Sequence, residues 1–473
     1  MSHYNRRRFL QLSAAGFMGG AGALAGLGRS QAFASSSAGG YKALVGIMLR
    51  GGVDMFDAVL PRDRESFDAF AAMRPGILGA HEGSRDPDNQ IALEPRNAAD
   101  FGARRFGLAP QLEAAGEMFA RGEAALIGSV GPLLEPVTRA QMDAKTANTP
   151  TNLFSHNDQQ SFWTALGPEG QRLGWGGGMM DCFLQDSAIG RPDFATVTAG
   201  SGDVFLASAN TRIFKAPVDP GEVGLRMISR EWQTSGSHGA DARARLDAYL
   251  RRTRLTERNP FLRDVGLGQA AGIQSMRDYA ELFASVGPVA TEFPDTRIGK
   301  QLKAIANSIH IRSAVGNPRQ VFLAEQGGFD THDSQGTTIN GPLGSVFEAI
   351  AAFRAAMLET GAWDDVVVFT MSDFGRTLTE NGDGTDHGWG SHHFAFGGAV
   401  SGGRIYGALP VLDPDAPDFT DERGRMIPRV SVEEYAATLG RWFGLDDAAV
   451  NTVLPNLSRM RTRDLGFLGG AVA

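Results

Sequence analysis

A glycine-rich stretch holds three of the chain's nine histidines. It spans 375–398, reads GRTLTENGDGTDHGWGSHHFAFGG, and contains His387, His392 and His393. Glycine loses more backbone freedom on ordering than any other residue, so this density of glycine argues against a helix. We therefore predict a loop that carries imidazole side chains toward a site.

Three aspartates follow apolar runs that have the length of buried β-strands. Asp54 follows the run 43–49 through a glycine turn, Asp330 follows QVFLAEQGG, and Asp373 follows DVVVFTMS directly. In open α/β sheets, ligands gather at the carboxyl ends of the strands, where the loops converge. His332 lies two residues after Asp330, and the two side chains would share one face of an extended segment.

Carboxylate oxygens and imidazole nitrogens are the ligands that hard and borderline divalent ions prefer. We predict a divalent metal, Zn, Mn, Mg or Ca, bound by a set of five side chains. The set is Asp54, Asp330, His332, Asp373 and His387. Each residue alone has a simpler explanation, because such an aspartate often caps a helix and a lone histidine often makes a structural hydrogen bond. Their joint pattern favours the metal site.

The elements around these residues predict an α/β fold, with a mostly parallel sheet flanked by helices on both faces. Strand-length apolar runs alternate with helical patterns, which is typical of such sheets. The runs are 43–49, 124–130, 194–197, 320–324 and 365–371, and the helical patterns include 108–121 and 342–360. The segment 221–314 breaks this alternation with charged 3.6-residue periodicity, and we interpret it as a helical insertion or cap.

The N-terminal segment 1–34 has the pattern of a twin-arginine export signal. A basic RRRFL sequence precedes an apolar, Gly/Ala-rich run too short for a transmembrane helix, and AFA supplies a small-x-small cleavage site. A Ser/Gly linker, 35–40, leads to the mature domain, 41–473. We therefore expect an exported protein of the periplasm or extracellular space that has no transmembrane span.

Charge and cysteine content exclude some classes of function. The chain has 53 acidic and 45 basic residues, a formal net charge of -8, which argues against a broad footprint for nucleic acid. A single cysteine, Cys182, cannot form an intramolecular disulfide, and it excludes a cysteine-based zinc site.

The order of these motifs resembles the alkaline phosphatase and sulfatase superfamily. The order is a strand-end Asp54, a serine at a helix start, Asp330-Thr331-His332, TMSDFG and a late His387. Within that superfamily, LRGGVDMFDAVLP, SHNDQQSFW, GGFDTH and SDFGRT are similar to a large family of exported bacterial proteins that carries a domain-of-unknown-function label. This resemblance covers nearly all of the mature chain and implies an alkaline-phosphatase-like fold.

The resemblance implies that the nucleophile is the residue that opens a helix, which matches Ser155 in LFSHNDQQSFW. Helix amide dipoles would favour an anion there, and a metal would lower the pKa of the hydroxyl. The alternative is that Ser155 only caps the helix, with Asp158 three residues on in a capping-box role. Thr138 is a weaker rival nucleophile.

The resemblance also implies roles for the metal ligands. Asp54 would bind one metal together with the nucleophile, and His387 matches the late histidine of that metal. Asp330 and His332 match the superfamily's next aspartate and histidine, although their spacing is shorter here.

One ligand position departs from the superfamily pattern. The strand-end Asp373 should be followed by a ligand histidine, but Phe374 stands there. A second metal would lose an imidazole ligand unless His387, His392 or His393 replaces it. Either the site binds a different set of ions, or one metal is absent.

Further residues are candidates for contact with substrate. Arg376 could clamp a substrate oxyanion with two hydrogen bonds, although an arginine in this position also pairs readily with a neighbouring carboxylate. His392 could donate a proton to a leaving group, and His393 could contact the substrate, or both could lie at the rim. The chain has no Cys/Ser-x-Pro-x-Arg sequence, so the aldehyde chemistry of sulfatases is unsupported.

The sequence thus indicates an exported metal-dependent hydrolase that acts on a small phosphate ester or a related anionic ester. The alternative is a non-catalytic binding or assembly protein that keeps the fold, with an exported protein partner and a structural metal. Phe374 favours that alternative, and the segment 221–314 would be its interaction surface. A metal-dependent mutase or transferase is a third hypothesis.

Overall fold

The computed structural model describes residues 40–185, 189–218, 241, 244–245, 247–248, 251 and 258–469. The predicted export signal, 1–34, and the predicted linker up to residue 39 lie outside the described residues. Much of the first half of the predicted insertion also lies outside them.

Twelve strands form two sheets within the described residues. The strands are β1 (Lys42–Leu49), β2 (Val59–Pro61), β3 (Ile91–Leu93), β4 (Phe106–Leu108), β5 (Ala124–Gly131), β6 (Thr196–Thr198), β7 (Phe214–Lys215), β8 (Arg319–Gln326), β9 (Val366–Ser372), β10 (Ser391–Phe396), β11 (Arg404–Gly407) and β12 (Val430–Ser431). The small sheet has the antiparallel order β2-β4-β3. The large sheet has nine strands and carries the candidate site.

The large sheet has the order β11-β5-β10-β9-β1-β8-β6-β7, with β12 beside β5. Its strands pair in parallel except at β10, which runs antiparallel to both β5 and β9. The central strands are buried along most of their length. This is why they appear in the sequence as continuous apolar runs, as strands covered on both faces do.

The carboxyl ends of the three central strands lie level with one another. Leu49 at the end of β1 pairs with Gln326 of β8 on one side and with Ser372 of β9 on the other. The turns that carry Asp54, Asp330 and Asp373 therefore leave the sheet at one edge, as the sequence predicted.

Thirteen α-helices are described. They are α1 (Arg64–Met73), α2 (Pro75–Ala80), α3 (Glu113–Arg121), α4 (Arg139–Asp143), α5 (His156–Ala165), α6 (Trp175–Gln185), α7 (Pro260–Val286), α8 (Arg297–His310), α9 (Arg312–Val315), α10 (Gln335–Thr338), α11 (Asn340–Glu359), α12 (Val432–Phe443) and α13 (Asp447–Val453). The helix predicted over 108–121 begins only at Glu113, because Leu108 belongs to β4 and Pro110 opens a separate short helical turn.

Helices cover both faces of the large sheet. Alternate residues of β1 belong to a hydrophobic cluster that includes Leu302 of α8 and Phe347 of α11. On β9, Phe369 instead contacts Trp175 of α6 and Tyr435 of α12, at 5.7 and 6.0 Å between ring centroids. The predicted fold class, a mostly parallel sheet flanked by helices on both faces, is confirmed.

The predicted insertion, 221–314, is described only in part. Its described helices include α7, which has 27 residues, and α8. Helix α8 contacts β8 and α11, so this end of the segment belongs to the helical layer of the sheet. For the remainder, the insertion stays a prediction.

One described helical stretch, Gln335–Glu359, is long and apolar enough to cross a membrane, with a mean hydropathy of 1.2. Its side chains Leu343, Val346 and Ile350 are fully buried in the main hydrophobic cluster. The core helix of a globular domain has the same character, so this stretch is weak evidence for a span.

Candidate metal centre

His156, Asp330 and His387 converge at the carboxyl edge of the large sheet. Each offers one ligand atom, and the three atoms lie within 4.8 Å of one another. His156 opens α5, Asp330 follows β8, and His387 lies on the glycine-rich return after β9. Two imidazoles and a carboxylate from separate elements form a set of donors that suits a divalent ion.

The carboxylate of Asp330 lies between the two imidazoles. Its Oδ2 is 3.4 Å from Nε2 of His156, and its Oδ1 is 3.4 Å from Nε2 of His387. Each carboxylate oxygen thus lies near one imidazole nitrogen, and one donor atom from each of the three residues lies within 4.8 Å of the other two.

His332 extends this group on its exposed side. Its Nε2 lies 2.9 Å from Nε2 of His387 and 3.2 Å from Oδ1 of Asp330. Its side chain is 45% exposed. The structure therefore brings together three of the five predicted ligands, Asp330, His332 and His387, and adds His156, which the sequence analysis did not select.

Asp373 lies behind His156. Its Oδ2 accepts hydrogen bonds from Nδ1 of His156 at 2.8 Å, from Nε2 of Gln160 at 2.8 Å and from the Gly51 amide at 3.1 Å. Metal-binding histidines usually donate their second ring nitrogen to such a carboxylate, which fixes the tautomer and the ring orientation. Asp373 thus orients an imidazole, and its contacts favour this role over direct metal ligation.

Oδ1 of Asp373 is the unusual atom of this carboxylate. It is buried and has no hydrogen-bond partner among the described residues. A buried carboxylate oxygen without a partner is costly in free energy. It is the one observation that leaves room for direct ligation by Asp373, as the sequence analysis predicted.

The pKa shifts of Asp330 and His387 favour the protonation states that bind a cation, and the shift of His156 does not. Burial alone would raise the pKa of Asp330, but the hydrogen bond and charge of Arg376 outweigh it and lower the pKa. Burial lowers the pKa of His387, which favours the neutral imidazole that metals require. The hydrogen bond to Asp373 raises the pKa of His156, so protons compete with a metal there.

Asp54 lies in a different environment from the other predicted ligands. It is fully buried, its Oδ2 is 2.6 Å from Nη1 of Arg74, and Gln335 donates to the same oxygen at 2.7 Å. Its Oδ1 accepts from the Phe56 amide at 3.0 Å. Because this carboxylate is fully buried and both of its oxygens already accept hydrogen bonds, the structure argues against the predicted metal ligation.

The Arg376 side chain makes its hydrogen bonds within the protein interior. Its side chain is fully buried, and it donates to the carbonyls of Gly52, Thr385 and Phe329, and to Oδ1 of Asp330. These contacts argue against the predicted clamp on a substrate oxyanion. They assign Arg376 the alternative role weighed from the sequence, a pair with a neighbouring carboxylate, and thereby hold Asp330 in place.

His392 and His393 lie on β10 and are not in a loop. Nδ1 of His392 accepts from the Ser129 amide at 3.1 Å, and Nδ1 of His393 lies 3.1 Å from the Thr370 hydroxyl. Burial lowers the pKa of each to about 3, so both are neutral near pH 7. Their hydrogen bonds are made to Ser129 of β5 and Thr370 of β9 and to none of the candidate metal ligands, which argues against the predicted proton-donor and substrate-contact roles at the metal centre.

Ser155 is the N-cap residue of α5, but its side chain makes no cap hydrogen bond. Asp158 accepts a hydrogen bond from Asn152 instead, so the capping box that was the structural alternative for Ser155 is not formed. The rival nucleophile, Thr138, does cap a helix, in a capping box with Gln141. The Thr138 hydroxyl therefore caps a helix, whereas the Ser155 hydroxyl makes no capping hydrogen bond.

The backbone before Ser155 is strained. Phe154 has φ 75°, a conformation that is rare for a bulky residue. Its carbonyl accepts from Nδ1 of His387 at 2.7 Å, and Arg425 lies over its ring at 4.5 Å. The residues on both sides of Ser155 are therefore bound to the centre, through His387 and through His156.

Phe374 fills the space beside the imidazoles. Its buried ring lies 4.7 Å from that of His156 and 4.4 Å from that of His387, between centroids. A Cβ at Gly52 would lie only 2.2 Å from the Phe374 ring. An apolar wall thus occupies the position where the superfamily pattern expects a ligand histidine.

Gln160 and Arg50 complete the support of Asp373. Oε1 of Gln160 accepts from Arg50 at 3.0 Å, which fixes its amide so that the NH₂ group faces Asp373. Arg50 also donates to Glu325 at 2.7 Å and to Asp203. Burial alone would raise the pKa of Glu325, but hydrogen bonds from Ser201 and Arg50 lower it to about 2.

Two site residues that the sequence analysis did not select could have been found from the sequence. His156 and Gln160 are four residues apart, so they lie on one face of α5, and His156 follows the proposed nucleophile directly. Arg74 could not have been found in this way, because no local pattern links it to Asp54.

The fold and the site define an α/β protein with a candidate metal centre at the carboxyl edge of its sheet. The chain belongs to the family described as "Protein of unknown function (DUF1501)", whose model matches residues 41–454. No curated protein matches the chain.

Several solved structures are similar to the chain at low sequence identity. The lipoteichoic acid synthase LtaP from Listeria monocytogenes is 9% identical, with 85% of this chain and 77% of that chain covered and a TM-score of 0.31. The PsFucS1 sulfatase from Pseudoalteromonas sp. is 10% identical, with 88% and 74% covered and a TM-score of 0.28. The alkaline phosphatase of Thermus thermophilus is 13% identical, with 74% and 63% covered and a TM-score of 0.24. These values carry no inference about activity.

Proposed function

We propose that this chain is a metal-dependent hydrolase of a phosphate ester or a related anionic ester, with Ser155 as its nucleophile. The observation that carries the proposal is the convergence of His156, Asp330 and His387 within 4.8 Å, directly beside the start of α5. Fold class alone would not support it, because one fold hosts many functions.

The residues present fit a divalent ion. His156, Asp330 and His387 would hold it, with His332 in reach on the exposed side. Asp373 and Arg376 hold His156 and Asp330 in orientation, which is the support that metal ligands need. When bound, such an ion would lower the pKa of a nearby hydroxyl and offset the negative charge of the ester.

The position of Ser155 directly before His156, at the start of α5, supports a role as the nucleophile. The N-terminus of α5, a ten-residue helix, presents amide groups whose dipoles favour an anionic ester. Attack by the Ser155 oxygen on the ester centre would expel the alcohol and leave a seryl ester. Water would then hydrolyse that ester and regenerate Ser155.

We further propose that the protein works after export, in the periplasm or extracellular space, on a small anionic substrate. The twin-arginine pattern in 1–34 supports this location. The excess of acidic residues supports a partner other than nucleic acid.

The test is turnover by metal-loaded protein. The exported protein is loaded separately with Zn, Mn, Mg and Ca and assayed on p-nitrophenyl phosphate, bis(p-nitrophenyl) phosphate and p-nitrophenyl sulfate. We expect hydrolysis of at least one ester, its loss in Ser155→Ala and His156→Ala, and its retention in Thr138→Ala. No turnover by protein that holds stoichiometric metal would reject the hydrolase.

Phe374 supports a second candidate, a binding or assembly protein that retains a structural metal. Its ring packs against the His156 and His387 imidazoles, and it stands where the superfamily pattern expects the ligand histidine of a second ion. For this candidate, Ser155→Ala would keep full biological function and His156→Ala would lose it. The hydrolase predicts that both variants lose it.

A further inference from the structure

A cavity of about 550 Å³ lies apart from the candidate metal ligands. It opens between β2, α1, the start of β4 and the segment 409–414. This volume falls within the range of roughly 300–1,000 Å³ found for small-molecule sites. None of His156, Asp330, His332 and His387 lines it.

The wall of the cavity is mostly apolar. Two aromatic rings and several aliphatic side chains form it: Phe56, Phe106, Leu60, Met73, Leu409 and Leu412. Such a wall favours a ligand with an aromatic or branched alkyl body, because burial of apolar surface supplies most of the affinity.

His392 is the buried polar side chain in this wall. It is 3% exposed, and its Nδ1 accepts the Ser129 amide at 3.1 Å. A neutral imidazole that accepts at Nδ1 carries its proton on Nε2. Nε2 makes no hydrogen bond to any residue that the structure describes, so its N–H is a donor available to a ligand.

The charges around the cavity disfavour an anion. Asp63, Glu65 and Asp413 line it, against a single arginine, Arg104. That guanidinium is already engaged, because it donates to the carbonyls of Leu409 and Pro410 at 2.9 and 3.0 Å. Three carboxylates against one guanidinium leave an excess of negative charge around the cavity, so a ligand that is itself anionic would meet net repulsion.

We propose that this cavity binds a neutral, largely apolar small molecule with one hydrogen-bond acceptor, which accepts from Nε2–H of His392. The site is separate from the proposed ester-binding centre and does not depend on its metal. Its occupant is recognised by shape, by apolar contact and by a single oxygen or nitrogen acceptor.

The test uses three small fluorinated probes, each followed by fluorine NMR titration of the full chain. 4-Fluoroacetophenone has an apolar ring and a carbonyl acceptor, 1-ethyl-4-fluorobenzene lacks the acceptor, and 4-fluorobenzoate adds a negative charge. We expect the ketone to bind about tenfold more tightly than either of the others, since one hydrogen bond contributes on the order of a factor of ten. A ketone that does not bind up to its solubility limit would overturn the proposal.

Two variants on α1 locate the binding. Ala69 is exposed and lines the cavity, whereas Ala72 is exposed on the same helix and does not line it. Ala69→Trp should abolish ketone binding by filling the mouth of the cavity, and Ala72→Trp should leave it unchanged. Equal binding by these two variants would place the ketone elsewhere and overturn the proposal.

A third variant tests the donor. His392→Phe keeps a ring of similar shape and removes the N–H, so it should reduce the preference for the ketone over 1-ethyl-4-fluorobenzene about tenfold. Retention of the full preference would overturn the role of His392. If this variant does not fold, the Ala69 and Ala72 pair still decides whether the cavity binds, and the probe preference in the wild type still tests the acceptor.

Discussion

Asp373 and His156 show how the sequence can identify a functional residue without revealing its partner. The sequence placed Asp373 at a strand end and predicted a metal ligand, but the carboxylate accepts from Nδ1 of His156 and orients that ring. The partner could not be predicted, because it lies 217 residues away along the chain. Arg74 lies only 20 residues from Asp54, but no local pattern in the sequence links the two.

The first prediction concerns the support of His156. Asp373→Asn removes the negative charge behind the imidazole, so we expect zinc affinity to fall by about 10- to 100-fold, as for other outer partners of metal ligands. Isothermal titration calorimetry measures the affinity. Asp333→Asn, an exposed acid on the same loop as His332, is the matched control and should bind as the wild type does. Unchanged affinity in Asp373→Asn would contradict the orienting role.

The buried ion pair of Asp54 and Arg74 leads to a prediction about stability. Arg74→Met leaves the fully buried Asp54 carboxylate without its cation, and we expect a loss of about 3–5 kcal/mol in the free energy of unfolding. The double variant with Asp54→Asn should recover part of that loss, because it removes the uncompensated charge. Urea unfolding measures both. A single variant as stable as the wild type would show that the pair is dispensable.

At the scale of elements, β10 is where the sequence analysis was wrong. Glycine around His387, His392 and His393 predicted one continuous loop, yet 391–396 forms a buried strand between β5 and β9. Both faces of β10 are buried, so its sequence does not alternate between polar and apolar residues. The adjacent histidines also interrupt the continuous apolar run that a fully buried strand usually shows. The other long strands were predictable, because each is a continuous apolar run.

The burial of two neutral histidines on β10 predicts a pH dependence of stability. Burial lowers the pKa of His392 and His393 to about 3, whereas the unfolded chain titrates near 6.5. The unfolded state therefore binds more protons, and stability present above pH 6.5 is lost as the pH falls toward 3. Each histidine contributes a loss of about 1 kcal/mol by pH 5.5.

His393→Phe isolates one of these groups. The loss of stability between pH 7.5 and 5.5, measured by urea unfolding at each pH, should be smaller in the variant by about 1 kcal/mol. His310→Gln, on a half-buried histidine of α8, serves as the control and should keep the wild-type loss. An identical loss in His393→Phe and the wild type would contradict a lowered pKa of His393 in the folded protein.

For the whole molecule, the fold class could be predicted and the detailed topology could not. Apolar runs and helical periodicity identified the parallel core of β1, β8 and β9 and its flanking helices. The order of nine strands, with β10 reversed, depends on contacts between distant segments that periodicity does not encode. The same holds for the candidate site. The sequence predicted which residues lie at the strand ends, but it did not predict which side chains they contact.

A metal that binds the folded chain at residues from three separate segments should stabilise the whole domain. A ligand present at 100 times its dissociation constant adds about 2.7 kcal/mol to the free energy of unfolding when it binds only the native state. We therefore expect zinc at that excess to raise the thermal midpoint of the wild type, and a chelator to reverse the rise. His156→Ala should show no such rise. A rise of equal size in that variant would place the metal elsewhere.

The most direct test of the central claim is elemental analysis of the protein purified after export. We predict about one divalent ion per chain in the wild type, lost in His156→Ala and in Asp330→Asn and retained in His310→Ala. Metal that survives in His156→Ala, or folded wild-type protein without metal under conditions that supply it, would contradict the centre formed by His156, Asp330 and His387.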